Sequence, residues 1–424
     1  MRILHVADLH LDSPFVGMGK EFQDIQKPLI ESSYTAFERC VSVAINRKVD
    51  VMVIVGDIYD SQKQTVKAQH FFQNQLERLY QAGIPVALCH GNHDYMTPSL
   101  ERRKYPDNVH VFRDDKVSYF DITTSANETL RLYGFSYKSQ WVSEPTIDQF
   151  PKNPDATQYT IGLLHGDLAS GSNRLGNYAP FTLNDLLDKN YDYWALGHIH
   201  QAQVLNTQPL IQYSGTIQGR HRNESGPKGA YIIELDKNQP SKNEFIELSP
   251  IIWKNVNLEC QIYMQASELI QEINQIIANF EKEALGQDQS FILEMNLIHA
   301  ERLDEDLQKQ VIQGQVLESV DAYLDSENFV VVSRVNLVRS IQVSAFEYDP
   351  NLNKSFEEAF SRFNQSDHFN RLMSPIASHP TFRTYLSDVL EQDEISKEII
   401  SGAREIVVQS LGFDEEIEGD VYED

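Results

Sequence analysis

The chain is poor in cysteine. Its 424 residues hold three, Cys40, Cys89 and Cys260, far apart and with no C-x-x-C pair, which argues against a disulfide framework or a zinc knuckle. No run approaches ~20 uninterrupted apolar residues, so no segment is built to span a bilayer. The opening residues Met1 to Asp8 carry a histidine and an acid where a secretory leader needs an apolar stretch. A soluble, cytoplasmic protein is expected. Positive charge is scarce in one part only. Residues 1–257 hold 25 Lys+Arg against 29 Asp+Glu, whereas 258–424 hold 11 against 33. The second part therefore repels polyanions at long range, which disfavours it as an independent nucleic-acid binder. Core material is not lacking. A hydrophobic content of 41% with 23% charge is ordinary for a globular chain, and the length allows two or three domains.

Six short apolar runs read as buried strands: Ile3–Ala7, Val51–Val55, Pro85–Cys89, Tyr159–Leu164, Tyr193–Leu196 and Ala230–Leu235. Helical stretches around 28–47 and over Gln64–Ala82 separate the first three, the latter closed by Gly83 and Pro85. That alternation predicts an α/β fold with parallel strands at its start. Strands around 109–135 and 203–248 follow one another across short turns, so the later part is expected to be more antiparallel. The expected core is a two-sheet sandwich flanked by helices, over 1–257.

Past Trp253 glycine and proline thin out. Leu269, Ile273, Ile276, Ile277 and Phe280 make one helical face, Phe291–Ile298 alternates as a strand, Leu303, Leu307 and Val311 open a helix, and Phe329–Val338 is a strand. This predicts a small α+β domain over 258–345. From 346 to 424 the chain reads as helical, with Phe356, Phe360 and Phe363 on one face and Ile395 to Val407 on another. Its end, Asp414 to Asp424, holds seven acids and no base and reads as a solvated tail.

Five motifs carry chemistry: Asp8-Leu9-His10, Gly56-Asp57-Ile58-Tyr59-Asp60, Gly91-Asn92-His93-Asp94, His165-Gly166 and Gly197-His198-Ile199-His200. Four directly follow an expected strand. Carboxylates, imidazoles and one amide without thiolate suit a divalent first-row metal such as Mn²⁺, Fe²⁺ or Zn²⁺. In D-x-H and H-x-H on extended chain, alternate residues face one side and can enter one cavity. A lone H-x-H is usually decoration; five linked motifs are not.

In this order and spacing the motifs resemble the calcineurin-like metallophosphoesterase superfamily. The opening Ile3 to Asp12 and the trailing domains resemble more specifically the SbcD-type DNA repair exonucleases, and among these the YhaO-like bacterial branch. The resemblance implies a two-sheet nuclease core, an α+β cap, and a C-terminal part that docks an SMC-like, coiled-coil ATPase (SbcC-like). It also implies a homodimer that acts on DNA without a membrane. Two divalent ions are implied, Mn²⁺ the expected pair, one resembling a site of Asp8, His10 and His200, the other a site of Asn92, His165 and His198, with Asp57 bridging. His93 is then left for the leaving group as proton donor, and Asp60 matches the position that orients it, an N-cap for the next helix being the plain alternative. Two features depart from relatives. Ser61-Gln62 stand where the Ser/Thr phosphatase pattern has its arginine, and archaeal DNA nucleases often have a histidine at the place of Asp60. Arg220, His221 and Arg222 follow the last motif and are candidates for DNA phosphate contact, or a solvated loop.

A metal-dependent DNA nuclease subunit that cleaves phosphodiesters with a metal-activated water is therefore expected. A phosphodiesterase or phosphatase for small molecules or phosphoproteins uses the same chemistry, and ~170 appended residues speak against it. A scaffold for an ATPase with a decayed site is the third reading, opposed by the presence of every expected ligand.

Overall fold

A computed structural model describes residues 1–13, 25–61, 64–124, 128–153, 159–169, 176–325 and 328–339, with a few single positions between 354 and 403. They divide into a unit of Met1–Leu297 with Arg302–Leu337, and a unit of Ile298–Glu301 with Val338–Asp424. The helices expected over 346–424 lie almost wholly outside the described residues. Among those described, no helix is long and apolar enough to cross a membrane.

The first unit opens with β1 (Arg2–Val6), α1 (Gln26–Arg47), β2 (Val51–Val55), α2 (Val66–Gln81), β3 (Val86–Cys89), α3 (Pro98–Glu101) and β4 (Val109–Val111). The four strands lie side by side and parallel. All five residues of β2 are buried, because both faces of its sheet are covered. Met52 and Ile54 pack toward Phe37 of α1 and Phe72 of α2, while Val51, Val53 and Val55 face the second sheet. The Thr65 hydroxyl caps α2 by accepting from Ala68 N–H at 3.1 Å.

The second sheet takes β5 (Ser118–Thr123), β6 (Thr129–Gly134), β7 (Tyr159–His165), β8 (Tyr193–Gly197), β9 (Gln203–Thr207) and β10 (Leu210–Tyr213), with α4 (Leu183–Leu187) before β8. Its order is β5-β6-β7-β8-β10-β9. The hairpins expected around 109–135 and 203–248 are antiparallel, β5 with β6 and β9 with β10, and they flank an interior of the opposite kind. The inner strands β6, β7, β8 and β10 are parallel, and only the edge pairs β5–β6 and β9–β10 are antiparallel. Among the described residues the crossovers between these strands hold little helix, and the sequence lacks the strand–helix–strand rhythm that signals parallel pairing. They cover one face instead with aromatic bulk: Tyr137, Phe150, Phe181 and Tyr191 share one cluster with Trp194 of β8.

The chain then returns to the first sheet. β11 (Gly229–Asp236) pairs antiparallel with β1, and β12 (Gln239–Glu247) with β11. The inner faces meet through Ile3, Val53, Ile161, Leu163, Tyr193, Ala195 and Ile233. A third sheet follows, from β13 (Ile251–Glu259), α5 (Ala266–Gln287), β14 (Ser290–Ile298), α6 (Glu305–Ile312), α7 (Gln315–Glu318), β15 (Tyr323–Leu324) and β16 (Phe329–Val338), with strand order β13-β14-β16-β15. α5 buries Leu269, Ile273 and Ile277 in a cluster with Leu293, Met295 and Val330. Trp253, Ile292, Phe329 and Val331 pack with Ile25 and Leu29 at the start of α1.

Candidate metal centre

Parallel strands put all their C-terminal ends on one side, where a sheet's loops gather functional groups. β1 delivers Asp8 and His10 there, β2 Asp57, β3 Asn92 and His93, β7 His165, and β8 His198 and His200. Asp8, His10, Asp57 and His198 all adopt positive φ, at 52°, 43°, 48° and 99°. Backbone in that region is costly for residues with a Cβ and persists where surrounding structure enforces it. The enforcement is visible: His10 N–H donates to Asp57 O at 3.0 Å, His93 N–H to Asp57 Oδ1 at 3.0 Å, and His198 N–H lies 3.1 Å from both Asp8 carboxylate oxygens. Gly91 is required by proximity, since a Cβ there would lie 2.2 Å from Asp57 Oδ1 and 2.7 Å from His165 Nε2.

The donors fall into two adjacent groups. Ligand atoms of Asp8, His10 and His200 lie within 4.8 Å of one another, and so do those of Asp57, His165 and His198. His10 and His200 meet Nε2 to Nε2 at 3.0 Å. Asn92 Oδ1 lies 3.0 Å from His165 Nε2 and 3.1 Å from His198 Nδ1. Asp57 reaches toward both groups, its Oδ2 being 3.3 Å from His165 Nε2 and 3.9 Å from His10 Nε2. Imidazole nitrogens aimed at one another, mixed with carboxylates and an amide oxygen, fit a pair of divalent cations.

Residues 1–202 match the calcineurin-like phosphoesterase family. The chain is 30% identical over 418 residues to the uncharacterized metallophosphoesterase YhaO of Bacillus subtilis, covering 97% of this chain and 98% of that one. This chain belongs to the calcineurin-like phosphoesterases. The DNA double-strand break repair protein Mre11 of Sulfolobus acidocaldarius is 23% identical over 361 residues, covering 81% of this chain and 87% of that one. The SbcD component of the SbcCD nuclease of Staphylococcus epidermidis is 24% identical over 275 residues, covering 59% and 70%.

The outer nitrogens of the imidazoles in this phosphoesterase centre face a carboxylate or a carbonyl, partners of the kind that select a tautomer and aim the inner nitrogen. His165 Nδ1 lies 3.1 Å from the Val55 carbonyl, His198 Nε2 3.0 Å from Asp167, His10 Nδ1 3.2 Å from Asp60, and His200 Nδ1 2.6 Å from Glu224. The electrostatics of the protein groups are those of a buried cation site. Burial disfavours charge on His165, yet Asp57 outweighs it and lifts the imidazole to about 9. The same pairing holds Asp57 well below the usual carboxylate range against the upward push of burial. His10 is pushed down to about 3, by burial first and by the Arg220 charge next. Burial also pushes Asp60 and Glu224 up, but both are held low, Asp60 by His10 and Arg220, Glu224 by His200 and Arg220.

His93 is exposed beside this centre, its ring edge-on to His10 at 5.0 Å between centroids. Its Nδ1 lies 3.0 Å from the main-chain carbonyl of Asp60, so Asp60 reaches His93 through its backbone while its carboxylate serves His10 and Arg220. The N-cap of α2 is Thr65 rather than Asp60. Arg220 is largely buried and ion-paired to Asp60 and Glu224, His221 is exposed, and Arg222 is half-buried. Asp94, quoted in its motif without a role, accepts from Ile58 N–H at 3.0 Å and Gly91 N–H at 2.8 Å and faces His90 Nδ1 at 2.9 Å, shaping the loop. Asp167 and Glu224 join the site from outside the five motifs. An acid just after His165-Gly166, and another inside a basic stretch, were the available signals.

Proposed function

We propose that this phosphoesterase is a DNA nuclease, a hydrolase of phosphodiester bonds in DNA that works with two divalent ions, Mn²⁺ the expected pair. The observation that carries the reading is the length of the match to Mre11, whose 361 residues extend beyond the 202-residue phosphoesterase core into the part a small-substrate enzyme does not need. When bound, a cation pair supplies Lewis acidity and a nucleophile at neutral pH. Asp8, His10, His200, Asp57, Asn92, His165 and His198 would hold it. His93 acts on the substrate. Its Nδ1–H donates to the Asp60 carbonyl, which leaves Nε2 to give a proton to the departing oxygen, and its main-chain N–H ties that position to Asp57. The shortage of positive charge in 258–424 leads to a second part of the proposal: residues 346–424 dock a coiled-coil ATPase whose surface helps hold DNA.

The test compares linear DNA, a cyclic nucleotide, a phosphopeptide and an aryl phosphodiester in one EDTA-controlled assay with Mn²⁺. Metal-dependent cleavage of DNA is expected to dominate. Turnover of the cyclic nucleotide or phosphopeptide with inert DNA would overturn the nuclease reading and favour a phosphodiesterase or phosphatase.

A further inference from the structure

Arg220 follows the last ligand motif, where a basic side chain invites assignment to substrate phosphate. Its contacts point inward instead. Nη1 lies 2.6 Å from Asp60 Oδ1 and 3.4 Å from Ser13 Oγ. Nη2 lies 3.4 Å from Glu224 Oε1 and 3.2 Å from His200 Nδ1, while the main-chain N–H of Arg220 donates to Glu224 Oε2 at 2.7 Å. The side chain is only 14% exposed, and that of Glu224 6%.

Both carboxylates continue toward the metal ligands. Asp60 Oδ1 stands 3.2 Å from His10 Nδ1, and Glu224 Oε1 stands 2.6 Å from His200 Nδ1. The two imidazoles then meet at their Nε2 atoms, 3.0 Å apart. His10, Asp60, Arg220, Glu224 and His200 thus form a closed ring, with one cation position at its head. His10, Asp60 and His93 also group closely enough to hold a cation, but the guanidinium of Arg220 already pairs with Asp60 there.

We infer that Arg220 and Glu224 are positioning residues that set the affinity of one of the two cations, the one held by Asp8, His10 and His200. The inference rests on the two-cation reading of the centre. An imidazole that gives its Nδ1–H to a carboxylate presents Nε2 to the ion, in a fixed orientation and with raised basicity. A guanidinium suits the linking position because it is always charged and its planar fork can serve two carboxylates at once, which an ammonium does poorly. The other cation's imidazoles lean on separate supports, His165 on the Val55 carbonyl and His198 on Asp167. The two halves of the centre are therefore braced independently, and damage to one brace should leave the other ion in place.

The experiment titrates Mn²⁺ into the metal-free full-length protein and follows free ion by electron paramagnetic resonance, so that each binding step is read without any turnover assay. Glu224→Gln and Arg220→Lys should each weaken one step by about 10–100-fold and leave the other unchanged. Asp167→Asn should weaken the other step. In a His200→Ala background Glu224→Gln should add a smaller loss than it does in the wild type, because one of its contacts is already gone. Urea midpoints near wild type would show that each variant is folded. If Glu224→Gln and Arg220→Lys bind both ions as wild type does, or if all three variants weaken both steps alike, the inference is overturned. Wild-type protein that takes up fewer than two ions would overturn the two-cation reading and the inference with it.

Discussion

At the scale of single residues, the centre separates groups that hold a cation from a group that handles a proton. On the proposed mechanism His93 belongs to the second kind, and the leaving group is what tests it. His93→Leu should retain both ions and lose about 10²–10⁴-fold in DNA cleavage. An aryl diester, whose leaving group departs without a proton, should lose far less. Equal losses on the two substrates would remove the proton-donor role. The ligand positions were legible because each follows a strand, and strand ends are visible as apolar runs broken by Gly, Asp or His. The braces were not. The bond from His200 to Glu224 spans 24 positions and that from Arg220 to Asp60 spans 160, and no local spacing encodes either. His5 offers a test of burial itself. It is wholly buried in β1, 2.7 Å from the Tyr193 hydroxyl, and burial pushes its pKa down to about 3. The unfolded chain takes up a proton near pH 6.5 that the folded chain refuses, so stability falls as pH drops below 6.5, by about 1.4 kcal/mol per pH unit from this group. Urea unfolding of wild type and His5→Gln between pH 7 and 5 should show their stability difference shifting against the wild type by that slope. A difference flat in pH would mean that folded His5 accepts the proton.

At the scale of elements, the loops are shaped by what they must approach. Gly91 closes β3 with no room for a methyl group between itself and the Asp57 and His165 side chains. Gly91→Ala should therefore displace ligands while leaving the strand intact: unchanged far-ultraviolet circular dichroism, with at least one bound Mn²⁺ lost per chain. Retention of two ions would show that the loop can shift at little cost. The first sheet was readable because α1 and α2 separate its strands with clear 3.6-residue periodicity. The second sheet was legible at its antiparallel edge hairpins only, since its parallel interior is packed by Phe150, Tyr191 and Trp194, so strand order there is a tertiary fact. In the third sheet α5, β14 and β16 were legible from their apolar patterns, whereas β13, which runs straight on from the second half of the core, was not.

At the scale of the whole molecule, charge and chemistry are divided along the chain. The candidate ligands end at His200, and 33 of the 62 acids lie after residue 257. If 346–424 serve a partner, deleting them should abolish co-purification with the coiled-coil ATPase and leave Mn²⁺-dependent cleavage of short DNA measurable. Unchanged co-purification would move the docking surface to the rest of the chain, and insoluble protein would make these residues part of the chain's own fold. The topology also bears on how the enzyme is born. β1, which leads into Asp8 and His10, lies between β2 and β11, and the third member of their group, His200, follows β8. A nascent chain on the ribosome presents Asp8 and His10 before the other candidate ligands, yet cannot assemble the centre until the segment after β8 has emerged, nor seal the other edge of β1 until β11 has followed. Hydrolytic capacity is thereby withheld from incomplete translation products, with no inhibitor needed to restrain them.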